Sequence, residues 1–175
     1  MLTKKVEAAL LNQIEKEGFS SQLYLAMASW AEMKGFTGCA TFLFAQAEEE
    51  RIHMLKIIHY TNDRRGHAKI SNLNEPTNTY ANLNELFQLL LEHELSISKS
   101  INDLVGICVD EKDFTTQNFL QWYVNEQIEE EKNAQTILDK LEMLGNDPAR
   151  HYLFDNFMET FAAQLAAAAA KNAKA

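Results

Sequence analysis

Glu50 and His53 stand three residues apart in the run Glu48-Glu49-Glu50-Arg51-Ile52-His53, and on an α-helix that spacing puts them on one face. The same face carries Leu43, Gln46, Ile57 and Tyr60, the 3-4 alternation of a core stripe. A carboxylate and an imidazole thus occupy positions where leucines ordinarily go. Burying them unpaired costs several kcal/mol, roughly 2–7 for even a neutral polar group. The chemistry that best compensates for such a pair is metal ligation, with the remaining ligands supplied by other parts of the chain.

Those ligands need elements to carry them. The 175 residues include 6 Gly and 2 Pro, and the abundance of Ala, Leu, Glu, Gln and Lys favours an all-α chain. Periodicity divides it into four long helices, about Lys4–Met33, Cys39–Arg65, from Asn82, and Thr115–Leu144, with a shorter fifth from Arg150 to Leu165. Turns at Lys34–Gly38 and Asp110–Asp113 make helices one and two, and three and four, antiparallel hairpins. Helices of this size are about 40 Å long, and the connection Gly66–Tyr80 can reach about 50 Å. The expectation is an all-α four-helix bundle with one long crossover at Gly66–Tyr80. Residues 1–165 are expected to form the domain, and 166–175 are an alanine-rich tail for which natural, engineered and disordered readings all stay open.

The inward stripes are apolar except near their middles, where Glu17, Glu50 with His53, Glu94, and Glu130 with Gln127 fall. Glu17 and His53 are equidistant from the first turn, and Glu94 and Glu130 from the second, so each pair lies at one height. Adding 77 to a residue number takes Glu17 to Glu94, Glu49 to Glu126, Glu50 to Gln127 and His53 to Glu130, as in an imperfect internal repeat. Several carboxylates with one imidazole suit Fe(II) or Mn(II) better than a thiol-preferring metal. Tyr24 lies two turns from Glu17 on the same stripe, and a core tyrosine with a satisfied hydroxyl explains it equally well. Gln127 is read either as a ligand or as a donor that orients one. Without further information Glu49, Glu126 and Glu129 fit a metal site and a solvated face about equally. Leu23, Met27 and Trp30 form a second apolar stripe on helix one, expected to be exposed in a single bundle and so to mark a subunit contact.

The net charge of −9 argues against nucleic acid as a partner and suits attraction of cations. Cys39 and Cys108 stand singly, so no disulfide framework or Cys-rich metal module is available. No signal-like or membrane-spanning stretch occurs, and a cytoplasmic protein is expected.

The chain resembles the bacterial non-haem ferritins over nearly all of residues 1–165. The resemblance rests on Glu17 with Ser20-Ser21 and Tyr24, on Glu49–His53, on Glu94, and above all on Asn118-Phe119-Leu120-Gln121-Trp122-Tyr123-Val124-Asn125-Glu126-Gln127 followed by Glu129-Glu130-Glu131-Lys132. It implies iron storage with ferroxidase activity, in which Fe(II) and dioxygen are the substrates and ferric oxo-hydroxide is laid down inside a homo-oligomeric shell of 24 subunits. It implies one iron on Glu17, Glu50 and His53, and Glu50 bridging to a second on Glu94 and Glu130, with Gln127 nearby. A third position from Glu49, Glu126, Glu129 and Glu130, and redox-active Tyr24 and Trp122, are also implied. Bacterioferritins differ in having a second Glu-x-x-His on helix four and a haem-binding methionine after the helix-two glutamate. Gln127-Ile128-Glu129-Glu130 and Arg51 stand there instead, so no haem is expected. The alternative is a non-catalytic bundle or cage whose buried polar layer confers specificity alone.

Overall fold

Local capping chemistry decides where most of the helices begin. Thr3 opens α1 (Lys4–Met33) by accepting the Val6 N–H at 3.3 Å. Asn82 does the same for α3 (Leu83–Asp110), accepting from Glu85 N–H at 2.9 Å. Asp113 opens α4 (Phe114–Leu144), taking the Thr116 N–H at 3.0 Å and its hydroxyl at 2.7 Å. The computed structural model describes residues 1–145 and 148–172, and within them α2 spans Thr37–Asp63 and α5 Pro148–Asn172.

The start of α2 has no cap of its own: Phe36 offers no side-chain hydrogen bond. Asp155 of α5 supplies it from outside, its carboxylate accepting the N–H groups of Gly38 at 3.0 Å and Cys39 at 2.9 Å. The approach is so close that a Cβ on Gly38 would lie 1.9 Å from the Asp155 carbonyl oxygen, so only glycine fits there. Helix α5 then runs past the Leu165 limit expected from the pattern and on through the alanines to Asn172, as the high helix propensity of alanine allows. The last part of the proposed tail, 173–175, lies outside the described residues, as do positions 146 and 147 in the turn before α5.

Helices α1 and α2 form one hairpin, tied by the Gly35 turn at φ +84°, and α3 and α4 form the other. The stretch between α2 and α3 has no helix and travels the length of α1: His67 N–H donates to Glu7, Ser71 to Glu15, and the Tyr80 ring stands edge-on to Trp30. This is the long crossover expected, and it corrects one expectation. Leu23, Met27 and Trp30 are buried within the single chain, with Tyr80 against Trp30, so their stripe gives no argument for a subunit contact.

The core falls into two apolar clusters. One holds Tyr24, Met27, Phe42, Leu43, Phe87, Leu90 and Ile137, together with Phe154 and Met158 of α5. The other holds Val6, Leu10, Ile14, Ile57, Ile101, Leu104 and Leu120. The mid-helix polar side chains lie along each helix between these sets. Helices α2 and α4 meet through long side chains, with Gln46 donating to Glu130, Tyr60 to Thr116, and Tyr123 to the His53 carbonyl oxygen. No helix among the described residues is long and apolar enough to cross a membrane.

Candidate metal centre

Glu17 on α1, Glu50 and His53 on α2, Glu94 on α3, and Gln127 and Glu130 on α4 are all buried. Ligand atoms of Glu17, Glu50 and His53 lie within 4.8 Å of one another, and His53 Nδ1 is 3.7 Å from Glu50 Oε1. Glu94 and Glu130 stand outside this group of ligand atoms, and the Tyr24 hydroxyl donates to Glu94 Oε1. Gln127 Nε2 donates to Glu94 Oε2 at 3.0 Å and to its carbonyl oxygen at 3.3 Å. The amide of Gln127 is therefore turned toward Glu94 as a donor, in keeping with the orienting role. Gln46 Nε2 donates to Glu130 Oε2 at 3.0 Å, and Gln13 Nε2 to Glu17 Oε1 at 2.7 Å.

Gln13 and Gln46 were not singled out from the sequence. Each lies one turn before a site carboxylate, four residues ahead of Glu17 and Glu50 respectively, and both are buried. A polar amide at that offset on an inward face is the signal that could have found them.

The second group of ligand atoms within 4.8 Å is Glu49, His53 and Glu126. Glu49 and Glu126 are half-buried, so this group reaches toward solvent although His53 is buried; Glu129, outside the group, is exposed. Trp122, half-buried, stands edge-on to His53 with ring centroids 5.1 Å apart, and Lys56 Nζ sits 3.5 Å above the indole. Tyr123 donates to the His53 carbonyl oxygen at 2.8 Å. His93 lies next to Glu94 in sequence but turns away, pairing with Ser20 Oγ at 2.7 Å, and burial pushes it down to about 4.

Electrostatics make the layer unusual. Four carboxylates are buried together, and among the described residues no lysine or arginine is buried with them. Burial drives Glu17 well above the ordinary carboxylate range, with repulsion from Glu50 adding to it. Burial likewise lifts Glu50 to about 7, helped by Glu49 and opposed by its contact with Glu17. Glu94 is raised to about 7 by burial against the opposing hydrogen bond from Gln127, and Glu130 is driven well above the ordinary carboxylate range by burial, with repulsion from Glu94 adding to it. Without a cation, protons must neutralise the layer. Glu50 Oε2, fully buried, has no hydrogen-bond partner at all. An orphaned carboxylate oxygen facing other carboxylates and an imidazole fits a divalent cation of the oxygen- and nitrogen-preferring kind.

Comparison with known proteins points the same way. The ferritin-like domain model matches residues 7–144. A "Probable bacterial non-heme ferritin-like protein" of Haemophilus influenzae is 44% identical over 155 residues, 89% of this chain and 94% of that one. A "Bacterial non-heme ferritin" of Campylobacter jejuni is 40% identical over 162 residues, covering 93% and 97% of the two chains. Among solved structures, the open-pore ferritin of Archaeoglobus fulgidus superposes with a TM-score of 0.89 at 36% identity, covering 91% of this chain and 98% of that one. With its bundle, its crossover and its mid-core layer of carboxylates, this chain belongs to the ferritin family.

Proposed function

We propose that the protein stores iron and is a ferroxidase. Two Fe(II) ions are taken as substrates into the polar layer, one by Glu17, Glu50 and His53, the other by Glu94 and Glu130, with Glu50 between them. The two Fe(II) ions together give two electrons to dioxygen, which takes up two protons and leaves as hydrogen peroxide, and the ferric product, hydrolysed with release of protons, moves on to an internal mineral. Glu49, Glu126 and Glu129, on the solvent side, serve with Glu130 as a third iron position. Tyr24 and Trp122, both touching residues of the layer, are the redox-active neighbours. What the chain contributes is positioning: Gln13, Gln46 and Gln127 hold three of the carboxylates by donated hydrogen bonds, so the ligands are oriented before metal arrives. The family's storage role extends this to a homo-oligomeric shell, which we take to contain 24 subunits.

The observation that carries the reading is the orphaned Glu50 Oε2 within a buried set of four carboxylates whose basic neighbour is the His53 imidazole, with no lysine or arginine buried among the described residues. Oxygen consumption after Fe(II) addition tests it. The wild-type protein should consume oxygen far faster than protein-free buffer, and Glu50→Ala and His53→Ala should fall to the buffer rate. Wild-type consumption no faster than buffer would leave only the scaffold. Native mass determination checks the shell, and a monomer or dimer at working concentration counts against storage.

A further inference from the structure

A chain of hydrogen bonds joins the edge of the bundle to Glu17. Lys16 Nζ donates to Ser100 Oγ at 2.6 Å, Ser100 Oγ donates to Gln13 Oε1 at 2.7 Å, and Gln13 Nε2 donates to Glu17 Oε1 at 2.7 Å. It crosses from α1 to α3 and back, over a span of 84 residues in sequence at its first link. Ser100 and Gln13 are buried, whereas Lys16 is half-buried and lines, with both of them, a surface cleft of about 100 Å³.

The order of donors follows from chemistry. An ammonium has only hydrogens to give, so Ser100 must accept from Lys16 and turn its own hydrogen elsewhere. That hydrogen meets Gln13 Oε1, which fixes the two ends of the amide: oxygen toward Ser100, nitrogen toward Glu17. If Lys16 were removed, the Ser100 hydroxyl would be free to rotate and the Gln13 amide to flip. With Glu17 ionised, as cation binding requires, the flipped amide would set its oxygen against a carboxylate oxygen, both being acceptors.

We propose that Lys16, Ser100 and Gln13 are positioning residues for cation binding: the lysine at the bundle edge sets the polarity of a three-bond chain that holds Glu17 as an oriented ligand. This rests on Glu17 being a metal ligand, as proposed above. Loss of such outer-shell support ordinarily weakens metal binding about 10- to 100-fold.

Anaerobic titration of the full-length assembled protein with Co(II), followed by its visible absorption, tests the chain. Lys16→Met keeps the aliphatic stem and removes the donor, and Ser100→Ala removes the middle hydroxyl. Each should weaken Co(II) binding about tenfold, while Lys16→Arg and Ser100→Thr, which keep a donor at each place, should bind like the wild type. The rescue pair separates polarity from packing, and melting temperatures verify that each variant is folded. Glu50→Ala is measured alongside. If Glu50→Ala abolishes binding and Lys16→Met and Ser100→Ala do not weaken it, the chain is not a positioning device. If Glu50→Ala itself binds Co(II) as the wild type does, the site assignment fails instead, and the proposal falls with it.

Discussion

The Tyr24 hydroxyl donates to Glu94 Oε1, a buried hydrogen bond that fastens α1 to α3 beside the carboxylate layer. Glu94 has one further side-chain donor, Gln127, on its other oxygen. Tyr24→Phe therefore strips one oxygen of its donor and leaves it buried, at a cost of about 1–3 kcal/mol. The melting temperature of the metal-free protein should drop by a few degrees. Oxygen consumption should slow as well, because Glu94 loses the contact that holds its orientation.

The metal-free protein should lose stability as pH rises from about 5 to about 8. Glu50 and Glu94 titrate at about 7 in the fold, and Glu17 and Glu130 are raised well above the ordinary value. In the unfolded chain all four titrate near 4.3, the usual value for glutamate, or about that. Between those limits the folded state holds more protons than the unfolded one. The stabilisation is complete below the unfolded value and drains away as pH passes the folded values. Divalent cations bound at the proposed site would replace the protons, so the melting-temperature gain on adding Co(II) should grow with pH. Thermal melts at several pH values, with and without the ion, measure both slopes.

Glu50→Gln should stabilise the metal-free protein at about pH 8 while abolishing ferroxidase activity. The substitution keeps the shape of the side chain but removes a carboxylate whose ionisation burial opposes. It should also flatten the pH slope described above. A variant that melts below the wild type at high pH, at matched metal-free state, would contradict the electrostatic account.

Asp155→Ala should weaken the docking of α5 more than an exposed cap substitution would. It removes both acceptors from the first turn of α2, and an ordinary cap is worth about 1 kcal/mol. Gly38→Ala should be worse, since its Cβ would have to sit 1.9 Å from a backbone oxygen that cannot rotate away. Melting temperature and sedimentation of the assembled protein both report on it, with Gly106→Ala, where a Cβ meets nothing within 4 Å, as the control.

The helices and the height of the polar layer were legible because both follow from short-range spacing. Glu17 and His53 are symmetric about the first turn, and local periodicity is enough to place them on one level. The donors were harder to see. Gln13 and Gln46 look like ordinary polar residues until the carboxylates they serve are in place. The cap on α2 comes from Asp155, more than 100 residues away, and no local pattern announces it. The stripe of Leu23, Met27 and Trp30 misled for the same reason: helical spacing shows that a face is apolar, and only the path of the crossover shows that Tyr80 covers part of it.

The division of the core into two apolar clusters has a consequence for cooperativity. Each end of the bundle is packed by its own set of side chains, and what lies between is a slab whose charge state depends on protons or cations. In the metal-free protein the two ends are expected to open as separate units, a difference that hydrogen exchange would register. On the proposed ligand sets, a cation held by α1 and α2, and another by α3 and α4, would weld the slab and make the two ends open together. Iron would then serve as a structural rivet during its own passage, and the protein would be most cohesive while it is working.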